Sequence, residues 1–330
     1  MKQASFYSPI DNEKIQCELC PRNCQIPTGK SGFCNIRFHQ DGKLIATNYG
    51  QVAALALDPV EKKPLYHFYP GRMILSVGTV GCNLACEFCQ NWQISREPGA
   101  LTREVTPEEL VKLALETQRE YGNLGLAYTY SEPGVWYEFL LDTMPLIHEA
   151  GMKNVLVTNA FLNARPWAEL LKWTDAANID LKGFQPEYYR QWCHGWLQPV
   201  LDNIQTAAGR IHLEITTLLV PGENDDPGQL EALARWIAAL DPDIPLHLSR
   251  YFPNYKLDRP PTSETSLQQA YRIAREYLNY VYLGNVGAPN ETACPKCGTV
   301  LVKRNGYQVK VLAKSSCPGC GGPISYLMED

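Results

Sequence analysis

The sequence predicts an α/β protein: a partial or full (β/α) TIM-type barrel over residues 74–289, a small cysteine-containing domain ahead of it (1–73) and a zinc-ribbon-like module behind it (290–330). Three observations carry that prediction. From residue 74 short apolar runs alternate with longer stretches of helical period, the pattern of repeated βα units around a parallel sheet. At 330 residues the chain is longer than one typical domain. Its twelve cysteines fall into three tight groups, at the start, in the opening stretch of the barrel and at the end, leaving Cys193 alone.

Residues 1–73 do not share the βα rhythm. They hold Cys17, Cys20, Cys24 and Cys34, a hairpin expected around HQDGKLIATNYG, and DPVEKKPLYHFYPG, whose prolines and glycine mark an ordered but irregular connection. ILSVGTV (74–80) is the first expected barrel strand. TPEELVKLALETQREY is the first helix: Thr106 caps it, Pro107 sits in its first turn, Glu109 completes a capping box, and Leu110, Leu113, Ala114 and Tyr121 share a face. The strands LGLAYTY, KNVLVTNA, AANIDLKG, RIHLEITTLLV, PLHLSRY and NYVYLGNV follow, with helices expected near 136–149, 166–173, 227–240 and 264–277 and helical turns over 186–208. Seven parallel strands suit a (β/α) barrel better than a doubly wound sheet.

Alternate strand positions point to opposite faces, so the polar residues sort themselves. Glu214 and Thr216 share a face with His212, Asp180 shares one with Lys182, and Glu132 continues the face of Tyr128 and Tyr130. Parallel strands covered by helices are usually apolar on both sides, so these residues mark either a working lumen or an internally satisfied polar network.

Composition narrows the class. A net charge of −5 argues against a nucleic-acid binder built on a basic face. MKQASFYSPI lacks the apolar core of a signal peptide, and no stretch reaches the length of a membrane span, so a cytoplasmic chain with no membrane association is expected. In a reducing compartment, grouped cysteines imply metal or redox chemistry.

CNLACEFC places Cys82, Cys86 and Cys89 at the end of the first strand. Thiolates ligate iron–sulfur clusters, and a cluster of four irons wants four outside ligands. Three leave one iron open, unless a fourth ligand such as Cys193 completes the set; a structural zinc is the competing reading. Cys294, Cys297, Cys317 and Cys320, in CPKCG and CPGCGG, form a four-thiolate site expected to hold zinc and to stabilise a hairpin around Asn305–Gly306. Cys17, Cys20, Cys24 and Cys34 can close either a zinc site or an auxiliary iron–sulfur cluster, which their spacing does not separate. Cys193, beside His194, is read as a buried thiol in a helix.

CNLACEFC, with Phe88 at the aromatic position, resembles the Cys-x3-Cys-x-aromatic-Cys loop of the radical S-adenosylmethionine (SAM) superfamily. The resemblance implies a 4Fe–4S cluster whose open iron takes SAM, and reductive cleavage of SAM to a 5′-deoxyadenosyl radical that abstracts hydrogen from a substrate. YTYSEP, VTNA, IDLKG and LVPGEND resemble segments of the pyruvate formate-lyase activating branch. They imply Glu132, Asn159, Lys182 and Pro221 around SAM beside Phe88, with Asp180 and Lys182 as catalytic candidates; Glu214, on the lumenal strand face, is a further candidate for binding the cofactor. Where that branch carries a histidine, SRYFPNYK has Phe252, and Arg250 is expected to compensate. Over nearly the whole length, segments such as CELCPRNCQIPTGKSGFCNIR and DPVEKKPLYHFYPG resemble the radical enzymes of the AmmeMemoRadiSam system. That implies AMMECR- and Memo-type partners, a protein or peptide substrate, and an electron donor such as flavodoxin or ferredoxin. The resemblance leaves the substrate open. Activation of a glycyl-radical enzyme is the alternative within this chemistry; a metal-binding electron-transfer or interaction protein is the alternative outside it.

Overall fold

The computed structural model describes residues 2–287 and 290–324. The expected boundary at 289, and the last residues of the expected zinc module, lie outside the described residues.

Eight strands build the central sheet: β1 (Ala54–Pro59), β2 (Met73–Gly78), β3 (Asn123–Tyr128), β4 (Lys153–Thr158), β5 (Ala176–Asp180), β6 (His212–Leu219), β7 (Leu246–Arg250) and β8 (Val281–Gly284). They lie side by side in chain order. From β2 to β8 every neighbouring pair is parallel, as successive right-handed βαβ crossovers require. Among the described residues no pairing joins β8 to β1, so the barrel is partial. The seven expected strands are all present. The eighth, β1, runs antiparallel to β2 and comes from the stretch assigned by sequence to the N-terminal domain.

The outer helices are α1 (Pro107–Tyr121), α2 (Tyr137–Glu149), α3 (Ala164–Leu171), α4 (Leu197–Ala207), α5 (Pro227–Leu240) and α6 (Glu264–Arg275). In α1 the capping box forms both ways: the Glu109 amide donates to Thr106 Oγ1 at 3.2 Å and the Thr106 amide to Glu109 Oε2 at 2.8 Å. Leu110 and Ala114 are buried as their spacing requires, whereas Tyr121, in the last turn, stands exposed. The expected helical turns over 186–208 are interrupted by a π-helical turn at Tyr189–Cys193, ended by His194 in the left-handed region. Cys193 is therefore buried in a π-turn rather than an α-helix.

The N-terminal region adds two three-stranded antiparallel sheets. One contains the expected hairpin, Arg37–Gln40 with Lys43–Ala46, turned by Asp41 and Gly42, both with positive φ. It is clamped to the barrel by Arg37, whose guanidinium donates to both carboxylate oxygens of Glu138 in α2 at 3.0 and 2.9 Å; both residues are buried.

The β1–β2 connection closes the N-terminal end of the barrel. Asn178 Nδ2 donates to Pro64 O at 2.7 Å, and the amides of Tyr66 and His67 donate to Glu214 at 3.0 and 2.8 Å. Beyond β8, Asn290–Ala293, Val300–Asn305 and Gln308–Val311 form an antiparallel sheet whose last turn is at the expected Asn305–Gly306. Its buried Arg304 donates to Thr292 Oγ1 at 2.8 Å and to Tyr66 O, pinning this sheet against the barrel floor.

Candidate active site

The loop after β2 is held from several sides. The amides of Ala85 and Glu87 donate to the carbonyls of Cys193 and Trp192 at 3.1 and 3.0 Å, and Glu87 O accepts from Lys256 and Leu257 at 2.9 and 3.1 Å. Asn83, fully buried, donates to Phe161 O at 2.6 Å. Gly81 has φ of 91°, and a Cβ there would stand 2.9 Å from Cys34 O, so the loop is built for close approach by the N-terminal region.

Cys82, Cys86 and Cys89 line a cavity of about 350 Å³ at the C-terminal mouth of the barrel. Parallel α/β barrels place their chemistry at this end, and the volume suits a cofactor-sized molecule. Burial raises the Cys82 and Cys89 thiols above their ordinary range; contact with the Cys193 thiol, then burial, raises Cys86. Such thiols give up their protons to a bound cationic metal centre. Their sulfurs are not drawn together as around one ion: among the described residues, the C-terminal four cysteines are the group whose ligand atoms all lie within 4.8 Å of one another. The spacing fits a cluster better than a lone zinc. Cys193 touches Cys86 but is not part of the cavity wall.

The rest of the wall comes from strand ends. Glu132, after β3, accepts from Thr158 Oγ1 at 2.6 Å, from the Asn159 amide at 2.8 Å and from the Gly134 amide at 2.8 Å. It thus caps the next turn and still faces the cavity. Burial pushes its carboxyl up to about 7 despite these donors. Asn159, after β4, receives its turn's amide from Phe161 on Oδ1 at 2.8 Å, while its Nδ2 lies 3.0 Å from Asn83 Oδ1 and 3.7 Å from Cys82 Sγ. Ala160, which follows, has φ of 50°, the left-handed region that suits glycine. From β5 come Asp180 and Lys182, joined at 3.0 Å. Burial pulls Lys182 down, but Asp180 and the nearby thiols outweigh it and hold the amine well above its usual range. Phe88, nearly buried, completes the wall beside the cysteines.

Three sequence candidates stand elsewhere. Glu214 does not line the cavity: on the floor, its oxygens accept from two backbone amides and lie 3.0 and 2.6 Å from Nε2 of His212 and His247. Burial would raise it, but the two imidazoles outweigh that and hold it well below the carboxylate range. Arg250 turns away, its Nε donating to Thr262 O at 2.8 Å and its guanidinium lying 5.1 Å from the Phe252 ring centre. Pro221 also falls outside the wall.

Thr216, expected on the lumenal face, joins the wall together with residues that the sequence did not mark. It presents a buried hydroxyl with no hydrogen-bond partner, directly beside Asp180 in register. Arg96 donates to Cys82 O at 3.2 Å, and Ser249 and Asn285 close the far side.

At the other end of the chain, Cys294–Cys320 and Cys297–Cys317 sulfur distances are 3.8 and 3.5 Å. Tetrahedral ligation at a Zn–S length of about 2.3 Å separates sulfurs by about 3.8 Å, so this group is shaped for one ion.

The site and fold define a protein class, and comparison with known proteins agrees. The family model of the radical SAM superfamily matches residues 76–237. The pyruvate formate-lyase-activating enzyme of Staphylococcus aureus is 30% identical over 49% of this chain and 68% of its own length. An uncharacterized protein of Methanocaldococcus jannaschii is 41% identical over 99% of this chain and 100% of its own. A radical SAM methyltransferase from Sphaerobacter thermophilus has the same fold, with a TM-score of 0.54 at 16% identity, covering 91% of this chain and 80% of that one. The chain belongs to the radical SAM superfamily. More narrowly, it is a radical SAM enzyme with relatives among the pyruvate formate-lyase-activating enzymes.

Proposed function

We propose that this enzyme cleaves SAM reductively at a 4Fe–4S cluster held by Cys82, Cys86 and Cys89, and that the resulting 5′-deoxyadenosyl radical takes a hydrogen atom from a peptide, protein or small-molecule substrate. The observation that carries the reading is the convergence of three thiols, one fewer than the irons of such a cluster, with Glu132, Asp180, Lys182 and Thr216 on one cavity. When bound, the cluster supplies the single electron that breaks the sulfonium carbon–sulfur bond.

The protein's own part is to bind and orient. Glu132 Oε2 carries one hydrogen bond, from the Asn159 amide, and keeps a lone pair for the amino group of SAM. Lys182, charged and held by Asp180, offers its cation to the carboxylate, and the free Thr216 hydroxyl offers a further contact. Asn159, through Asn83 and Cys82, ties that binding wall to the cysteine loop. Phe88, buried, supplies an apolar part of the wall beside the cysteines.

Cys294, Cys297, Cys317 and Cys320 hold structural zinc in this reading. The location is cytoplasmic, with a flavodoxin- or ferredoxin-type donor and AMMECR- and Memo-type proteins as partners. No helix among the described residues is long and apolar enough to cross a membrane. A second reading, activation of a glycyl-radical enzyme, is favoured by the identity to the Staphylococcus aureus activating enzyme.

The test is anaerobic purification, cluster reconstitution, reduction with dithionite and chromatography for 5′-deoxyadenosine. Nucleoside from the wild type and none from Cys86→Ala is the expected result; none from a fully loaded wild type overturns the reading. A glycine-centred radical on an added partner, seen by electron paramagnetic resonance, separates the second reading from the first.

A further inference from the structure

The N-terminal cysteines, close together in sequence, also share one cavity. Cys17, Cys20, Cys24 and Cys34 line it, and Leu19, Ile26 and Val135 complete an apolar wall. Backbone amides of Leu19, Arg22, Ile36 and Arg37 point to the sulfurs of Cys17, Cys20 and Cys34, the arrangement of thiols built to be ligands.

Two features bear on the choice between a cluster and a zinc ion, and the first separates them. The first is spacing. One tetrahedral ion pulls four sulfurs to about 3.8 Å from each other, as the C-terminal group shows at 3.8 and 3.5 Å. The N-terminal sulfurs are not gathered within the 4.8 Å that the C-terminal ones satisfy. In a cluster each thiolate bonds a different iron, so the ligands stand wider apart. The second is Arg37. It is 1% exposed and lines this cavity, and while its terminal nitrogens engage Glu138, its Nε has no partner. A buried donor left unpaired costs about 1–3 kcal/mol. The ligating thiolates of either kind of site could accept from it; a cluster adds its inorganic sulfides as further acceptors inside the cavity.

We propose that Cys17, Cys20, Cys24 and Cys34 hold a second iron–sulfur cluster, with the Arg37 Nε–H directed at one of its sulfur atoms. The site adjoins the catalytic mouth. Asn83 lines the N-terminal cavity, its neighbour Cys82 lines the mouth, and Arg22, reaching across, donates from Nε to Asn83 O at 2.5 Å.

The experiment is metal analysis of the full chain carrying Cys82→Ala, Cys86→Ala and Cys89→Ala, reconstituted anaerobically with iron and sulfide. The expected content is about four irons and four acid-labile sulfides per chain, with one zinc, and a reduced-cluster signal in electron paramagnetic resonance. Adding Cys24→Ser should abolish that signal and most of the iron. A second zinc with no iron, one iron without sulfide, no metal beyond the C-terminal zinc, or iron that survives Cys24→Ser each overturns the proposal. Should Cys24→Ser prevent folding, the metal content of the three-alanine variant decides alone. Wild type should bind about eight irons; if it binds only the four of the three-alanine variant, the catalytic reading fails while this one stands.

Discussion

Two buried glutamates sit at opposite ends of the same barrel, and their difference separates the working end from the structural one. Glu132, at the mouth, is held by one hydroxyl and two amides and faces the cavity; burial pushes its carboxyl up to about 7. Glu214, on the floor, is surrounded by two amides and two imidazoles, and these hold it ionised well below the usual range. The first is solvated incompletely by the protein and has capacity for a ligand. The second is saturated, and its work is to hold the β1–β2 connection across the barrel. A buried polar residue on a barrel strand is thus a binding group only where the protein leaves part of it unmet.

The sharpest break between the ends comes from removing a ligand at the mouth. Cys86→Ala should lower 5′-deoxyadenosine formation by about 1,000-fold or more, since the chemical step has no other source of electrons at that site. Circular dichroism should show an intact barrel. Activity within about tenfold of wild type would mean that the mouth is not where cleavage occurs.

At the floor the order of effects reverses. Glu214→Ala strips acceptors from two buried backbone amides and two imidazoles, a loss of about 3–5 kcal/mol in denaturant-measured stability. The cluster content and cleavage rate of the folded fraction should stay close to wild type. Equal loss of stability from Glu132→Ala would erase the proposed distinction.

pH tests the same contrast with opposite signs. Glu132 titrates at about 7 in the folded chain and near 4.5 unfolded, so ionisation costs folding free energy. Its contribution makes the folded state weaker as pH rises from about 4.5 to 7, by at most about 3 kcal/mol. Glu214, lowered on folding, contributes stability that is present above the unfolded carboxylate range and lost as pH falls below it. Denaturation midpoints of protein before reconstitution, followed from pH 4 to 8, should show Glu132→Gln removing the loss between about 4.5 and 7 and Glu214→Gln removing part of the loss at low pH. A Glu132→Gln curve parallel to wild type across that window contradicts the buried-carboxyl account.

Why the sequence misjudged Glu214 follows from strand geometry. Alternation reveals which face a residue occupies, and Glu214 and Thr216 do share the lumenal face. It says nothing about depth. Two residues along a strand are about 6.6 Å, enough to separate the floor from the mouth. The cysteine loop was legible because its chemistry is local in sequence: eight residues fix three ligands. The seven parallel strands were legible because each is bounded by its own helix and turn signals. By contrast β1 was hidden, since an antiparallel edge strand next to an irregular segment carries no βα rhythm. Asn83 and Arg96 depend on contacts between distant segments, and no local pattern marks them; alternation put Thr216 on the lumenal face but could not show that its hydroxyl is left unpaired. The expectation that Arg250 replaces a missing histidine placed the residue in chain order but could not foresee that Thr262 O and the Phe252 ring would turn it outward.

That misplacement yields the smallest and most discriminating prediction. Lys182 lines the cavity with its amine 3.0 Å from Asp180, whereas Arg250, at the end of β7, spends its Nε on a backbone carbonyl outside the wall. If a cation facing the cavity is what holds an anionic group of SAM, Lys182→Ala should weaken SAM binding about tenfold, the equivalent of about 1.4 kcal/mol. Arg250→Ala should change it less than about twofold, because the lost side chain engages Thr262 and Phe252 and does not line the cavity. Isothermal titration of SAM into the reconstituted enzyme measures both. A larger loss from Arg250→Ala than from Lys182→Ala would put the carboxylate-binding cation back on β7 and require the mouth to rearrange when SAM enters.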